Sequence, residues 1–135
     1  MNANRYLISL MLIITGIIHL LPLSGALGVE QLSTLYGMAF NDPNLAILMR
    51  HRAVLFGLLG IFLFGAAFKP AWQPLAFAAG FVSVISFLWL AWSVGGYNMQ
   101  INRVVIADLV ALACLIAGSA AMLVARNHGK RIHRG

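Results

Sequence analysis

A triplet of ionisable residues, Arg50, His51 and Arg52, interrupts a long apolar stretch of this chain. Ionisable side chains at membrane depth cost roughly 2.5–3.5 kcal/mol each on insertion scales, so they are usually paired or functional. An arginine can bind a carboxylate or a phosphate through two parallel hydrogen bonds, and a histidine can gain or lose a proton near neutral pH. The triplet therefore indicates a polar binding site inside an apolar protein.

Further polar residues lie at a similar depth in two other apolar stretches. His19 lies near the end of the first stretch, and Arg103 and Asp108 lie early in the last. Asp108 needs a cation beside it, and Arg103 points about 140° away from it on the same helix, so an arginine of the triplet is the better partner. Arg50 and Arg52 diverge by about 200°, which leaves one for Asp108 and the other for lipid headgroups.

These residues predict one ligand-binding pocket on the outer side of a membrane, with no catalytic residue and no metal ligand among them. The predicted ligand-binding residues are His19, Arg50, His51, Arg52, Arg103 and Asp108. Because the single acid cannot balance the arginines, we expect a small polar or anionic ligand, either a lipid headgroup or a quinone-like molecule. His19 or His51 would serve as its hydrogen-bonding or proton-transfer group.

Other interpretations of the same cluster stay open. In a structural or accessory membrane subunit, the Arg, His and Asp side chains would only lock the helices together, and Arg103 would contact lipid phosphate. A haem held by His19 and His51 is a further alternative, with the arginines on its propionates. Zinc fits less well, because the cluster has no cysteine and no third good ligand. An enzyme is not favoured, since Cys114 has no histidine at its depth.

The composition predicts the elements that would position these residues. Of 135 residues, 61% are hydrophobic and 9% are charged, and four apolar stretches cover about 6–23, 45–68, 72–94 and 104–125. A helix of about 20 residues crosses a hydrocarbon core about 30 Å thick. So short a chain could not bury four such helices in water. We therefore predict an all-α integral membrane four-helix bundle forming one domain, residues 1–135.

The connection between the first two spans predicts an additional element. Residues 24–44 are the one linker long enough to carry structure, and Asp42 before Pro43 is a good helix-start signal. A short amphipathic helix in this first outer loop would lie on the surface or cap the bundle. Its apolar face would be formed by Val29, Leu32, Leu35 and Tyr36.

The distribution of charge orients the predicted bundle. Basic residues number six on the side of the termini and three on the other side, an excess that predicts cytoplasmic N- and C-termini in a bacterial inner membrane. The six are Arg5, Lys69, Arg126, Lys130, Arg131 and Arg134. The basic cytoplasmic tail, 126–135, would contact anionic membrane lipid, and nucleic acid is not expected as a partner. A stripe of small residues at Ala107, Ala111 and Gly118 leaves an oligomer open.

A cleaved signal peptide is the competing interpretation of the first span. Arg5, the apolar run and the small residues Ser24, Gly25 and Ala26 have the order of such a peptide. The run is long for one, however, and it contains His19. We therefore predict a retained first span.

Three motifs carry a resemblance to known proteins: His19-Leu20-Leu21-Pro22, the run from Arg50 to Gly57, and Gly95-Gly96-Tyr97-Asn98. They resemble a group of small bacterial four-span proteins, and the general outline is similar to DoxX-like and DUF4345-like membrane proteins. Some members bear the label phosphopantetheine adenylyltransferase. That soluble enzyme binds phosphate at a histidine-containing turn before a helix, within a parallel-sheet fold, and this chain has neither pattern. The resemblance therefore implies a four-span fold and no chemistry.

Overall fold

The computed structural model describes residues 3–132, with side chains described for 3–128, and no strand occurs in this part of the chain. The all-α prediction is therefore confirmed. The α-helices are α1 (Ala3–Leu20), α2 (Val29–Tyr36), α3 (Pro43–Ala66), α4 (Gln73–Val94) and α5 (Met99–Ile132). Two 3-10 segments, Leu21–Leu27 and Pro70–Trp72, extend α1 and precede α4.

Four of these elements are long and apolar enough to cross a membrane. They are Ala3–Leu27, Pro43–Ala66, Pro70–Val94 and Met99–His128. Each contains or largely overlaps one predicted span, because hydrophobicity over about 20 residues is itself the physical requirement for crossing. The protein therefore has the helices of a multi-pass membrane protein.

Local capping fixes where α3 and α5 begin. The Asp42 carboxylate accepts a hydrogen bond from the Asn44 backbone N–H (2.8 Å), and Pro43 follows as the first helical residue. The Asn98 side-chain oxygen accepts from the Ile101 N–H (2.9 Å) in the same way. As a result α5 starts at Met99, five residues earlier than predicted, and Arg103 lies inside the helix.

The far end of α5 also differs from the prediction. The helix continues past the predicted boundary at 125 as far as Ile132. The reason is that no proline interrupts this segment. The first part of the predicted basic tail is thus helical, and the side chains of Lys130, Arg131 and Arg134 lie outside the described residues.

Helix α1 lies at the centre of the bundle, packing mainly against α5 and α3. Its crossing with α3 is closest at two glycines: a Cβ built on Gly60 would lie 2.9 Å from the Gly16 carbonyl oxygen. In α5, a Cβ on Gly118 would lie 2.7 Å from the Phe77 ring of the same chain. Small residues in membrane helices permit such approaches, and these are used within one chain.

Two clusters of buried apolar side chains hold the elements together. The larger lies between the long helices and includes Leu12, Leu63 and Leu115, all fully buried. The smaller lies under α2 and consists of Leu32, Tyr36 and Phe40, each at most 3% exposed. The short amphipathic helix therefore packs onto the bundle as a cap.

The crossing of α1 and α3 yields a stability prediction. Gly60→Ala should lower the unfolding free energy by about 1–3 kcal/mol, because the added methyl would overlap with the Leu20 side chain and with the Gly16 carbonyl oxygen, a backbone atom that cannot move aside. Thermal unfolding of the detergent-solubilised protein measures the effect. Gly65→Ala, on the same helix, is the matched control, since its Cβ would meet only Trp72 at 3.8 Å. Equal melting temperatures for the two variants would contradict the close crossing.

Candidate functional site

A cavity of about 260 Å³ lies where α1 ends, α3 begins, α4 ends and α5 begins. This side of the bundle is termed the cavity end. Most of the lining is apolar, with a few polar groups among it, which is the usual make-up of a small-molecule site. The lining residues are Ile18, His19, Leu21, Pro22, Thr34, Leu35, Tyr36, Arg52, Phe56, Phe87, Gln100, Arg103, Val104, Ala107 and Asp108.

Arg52 is held inside this cavity by contacts from three other side chains. Its Nη1 donates a hydrogen bond to the Tyr36 hydroxyl at 2.8 Å. Its guanidinium carbon also lies 4.6 Å from the Phe56 ring centroid, 5.6 Å from that of Tyr36 and 5.8 Å from that of Phe87. Attraction between a cation and an aromatic face is strongest when both are shielded from water. Rings from α2, α3 and α4 thus fix the charge in place.

Asp108 is the buried acid of the cavity. It is only 6% exposed, it lines the cavity, and the nearby positive charge that acts on it is that of Arg52. The predicted direct arginine–Asp108 bond is nevertheless not formed, since no N···O contact within 4.0 Å joins Asp108 to a cation in residues 3–128. The Tyr36 hydroxyl and the surrounding aromatic rings instead hold the Arg52 guanidinium beyond salt-bridge distance of the carboxylate.

The carboxylate oxygens of Asp108 are not fully enclosed by the described residues. No hydrogen bond to them is formed by the described residues. Among the described residues, the side-chain atom that is both fully enclosed and without a hydrogen-bond partner is Ser119 Oγ. The Asp108 oxygens are therefore unpartnered but not enclosed. An oxygen that has no protein donor and is not enclosed is accessible to a small molecule, and Asp108 lines the cavity. Asp108 therefore offers acceptor capacity to whatever occupies the space.

His19 forms part of the cavity wall, 2% exposed. Its Nδ1 lies 2.9 Å from the Thr15 carbonyl oxygen, and since a carbonyl only accepts, Nδ1 carries a proton. Its Nε2 lies 3.1 Å from Ser83 Oγ, and the ring stacks on Phe56 with centroids 5.7 Å apart. In the neutral ring Nε2 accepts the Ser83 hydroxyl proton. The orientation of the imidazole is thus fixed on three sides.

The six predicted site residues divide into two groups. His19, Arg52, Arg103 and Asp108 line the cavity, with Arg103 exposed at its rim. Arg50 and His51 do not line it, because consecutive helix residues point about 100° apart.

Arg50 and His51 both lie on the exposed surface of α3. The Nε of Arg50 donates to the Ala26 carbonyl oxygen at 3.0 Å, which ties the 3-10 segment after α1 to α3. His51 does not share the cavity with His19. His19 and His51, the two ligands of the haem alternative, therefore do not line the same cavity.

Sequence reasoning missed several lining residues, some of which carried a signal. Phe56 follows Arg52 by four residues, the spacing that places two side chains on one helix face. Tyr36 belongs to the predicted apolar face of α2, so its contact with the bundle was foreseeable, although its role as the acceptor for Arg52 was not. Phe87 and Gln100 had no comparable signal, since their positions depend on how α4 and α5 rotate in the bundle.

Comparison with known proteins identifies no relative of this chain. Protein-family models, curated proteins and solved structures give no match to this chain. No group of three or more His, Cys, Asp or Glu residues that could hold a metal ion occurs among the described residues. The chemistry of the site therefore has to be argued from its own geometry.

The Arg52–Tyr36 contact yields a prediction about α2. Tyr36→Phe keeps the ring but removes the acceptor, and a hydrogen bond to a charged donor is worth about 1.5–3 kcal/mol. Backbone amides of Val29–Tyr36 should then exchange at least about tenfold faster, measured by hydrogen–deuterium exchange in detergent micelles. Tyr97→Phe, at a tyrosine that is 42% exposed, is the control. Unchanged exchange in Tyr36→Phe would show that this bond does not hold the cap.

Proposed function

We propose that this protein binds a small polar or anionic ligand, a lipid headgroup or a quinone-like molecule, in the cavity formed at one end of its four-helix bundle. The observation that carries the proposal is the position of Asp108, a buried acid that lines an open cavity and has no direct partner among the described residues. Buried polar groups in natural proteins almost always have a hydrogen-bond partner, so an acid without a protein donor is expected to bind a donor from another molecule. No catalytic step is part of the proposal.

The charges around the cavity favour a ligand with negative charge or strong acceptors. Arg52 and Arg103 contribute two positive charges and Asp108 one negative charge, so a net positive charge remains when His19 is neutral. Guanidinium groups bind phosphate, carboxylate and carbonyl oxygens through several donors at once. Arg103 is the better placed of the two for this role, because it is exposed at the rim.

The walls of the cavity favour a ligand that also has an apolar part. Phe56, Phe87 and Ile18 line it together with the charged groups. At about 260 Å³ it falls just below the usual size range of pockets that enclose whole drug-sized ligands. A headgroup or a single ring fits this space, with the remainder of the molecule outside.

The predicted membrane orientation places this cavity at the outer side. With both termini in the cytoplasm of a bacterial cell, the positive-inside rule is satisfied and the cavity end faces the periplasm. The ligand would then come from the outer leaflet or from the periplasm.

A structural role for the cluster is the alternative function. It is favoured by contacts that join different helices: Arg52 to Tyr36 links α3 to α2, and His19 to Ser83 links α1 to α4. If these contacts exhaust the role of the charged residues, the protein is a structural or accessory membrane subunit. The two functions differ in what they require of Asp108 and Arg103, which take no part in these bonds.

Copurification separates the two functions. Wild-type protein, Asp108→Asn and Arg103→Gln are purified in mild detergent, and small molecules extracted from each are identified by mass spectrometry. A bound ligand should be depleted at least about tenfold in both variants while their melting temperatures stay close to that of the wild type. His51→Gln, outside the cavity, should retain it. Recovery of no ligand from the wild type, with both variants folded as stably as the wild type, would instead support the structural role.

A further inference from the structure

The cavity imposes a more specific chemistry on its ligand. We propose that the ligand is a phospholipid whose headgroup carries a hydrogen-bond donor beside the phosphate. Asp108 accepts from that donor, Arg103 binds the phosphate, and the acyl chains stay outside in the bilayer. This inference rests on the proposed function, since it names the ligand class of the same cavity.

Asp108 selects for a ligand that carries a hydrogen-bond donor. An ionised carboxylate is acceptor-only, and that of Asp108 accepts no hydrogen bond from the described residues. Filling the cavity with a ligand that has only acceptors would bury the carboxylate unsatisfied, which costs more than the desolvation of a neutral group. An ammonium or hydroxyl group of the ligand removes this penalty. The headgroup is therefore one with N–H or O–H groups.

Arg103 supplies the complementary site for the phosphate. It lies five residues before Asp108 on α5, about 7.5 Å nearer the cavity end along the helix axis, and its side chain is exposed at the rim. Gln100, one turn earlier, lines the same rim and adds an amide donor. The order along α5 is thus phosphate-binding groups at the rim and an acceptor at depth. A headgroup that enters through the rim meets them in that order.

Access from the side of the lipid is favoured by the way α2 covers the bundle. Leu32 and Tyr36 of α2 are at most 3% exposed, and Asn98 Nδ2 donates to the Tyr36 carbonyl oxygen at 2.7 Å. The Arg52 bond fixes the same tyrosine from the other side. By contrast, Leu21 lines the cavity and is 61% exposed, an apolar residue at the open edge. An opening bordered by an exposed apolar residue can accommodate the acyl chains of a lipid.

A matched pair of lipids tests the donor requirement. Delipidated full-length protein in mild detergent is titrated with dioleoyl-phosphatidylethanolamine and with dioleoyl-phosphatidylcholine, and adducts are quantified by native mass spectrometry. The two differ only in the three methyl groups that replace the N–H donors. We expect the ethanolamine lipid to bind about tenfold more tightly, and dioleoyl-phosphatidylglycerol, an anion with hydroxyl donors, to bind at least as well.

Two variants assign the roles of the residues. Asp108→Asn should reduce the preference for phosphatidylethanolamine over phosphatidylcholine to less than about threefold, because the charge that attracts the ammonium is gone. Arg103→Gln should weaken both lipids by a similar factor and leave their ratio unchanged. If Asp108→Asn does not fold, the comparison of lipids on the wild type still decides.

The outcomes distinguish this inference from the function on which it rests. Equal binding of phosphatidylethanolamine and phosphatidylcholine to the wild type overturns the donor requirement, although the cavity would remain a lipid site. Binding of a short-chain ubiquinone in place of all three phospholipids overturns the ligand class but leaves a ligand-binding protein. If neither the phospholipids nor the ubiquinone binds, the inference and the proposed function both fail.

Discussion

The contact between Arg52 and Tyr36 is the interaction on which the rest of the site depends. It places a guanidinium from α3 against a hydroxyl from α2, inside a ring of aromatic side chains that extends to Phe87 of α4. Such a charge is tolerable at this depth because aromatic faces and a hydroxyl take the place of water. With Arg52 committed to these partners, Asp108 is left to face the cavity.

Helix starts account for how charges from distant parts of the chain arrive at one depth. Arg52 lies nine residues after Pro43, and Asp108 lies nine residues after Met99. Both helices begin at the cavity end, so each charge lies about 13.5 Å along its helix axis from that end. The caps at Asp42 and Asn98 thus determine the depth of the charges as well as the ends of the helices.

The sequence predicted the fold better than it predicted the site. Span positions depend on hydrophobicity alone, and the Asp42-Pro43 signal marked the start of α3, so both were readable. His19 and Asp108 could be placed in one pocket because polar residues at the same depth in separate helices tend to meet. Arg50 and His51 do not line the cavity, since the helix turns the members of the triplet to different faces. The rotation of α4, which brings Phe87 to Arg52, depends on packing between helices and leaves no local trace.

The separation of Arg52 from Asp108 helps to decide whether the charged residues only lock the helices together or bind a ligand. A bidentate arginine–carboxylate bond would satisfy the carboxylate and would require no further partner for it in the cavity. Here one N–H of Arg52 donates to Tyr36 and the guanidinium lies against aromatic rings, while the carboxylate accepts no hydrogen bond from the described residues in a space walled largely by apolar side chains. Helix-locking alone does not explain this arrangement, because replacing the acid by an apolar residue would lock the same helices at lower desolvation cost. The acid is accounted for if the cavity receives a molecule that brings its own donor.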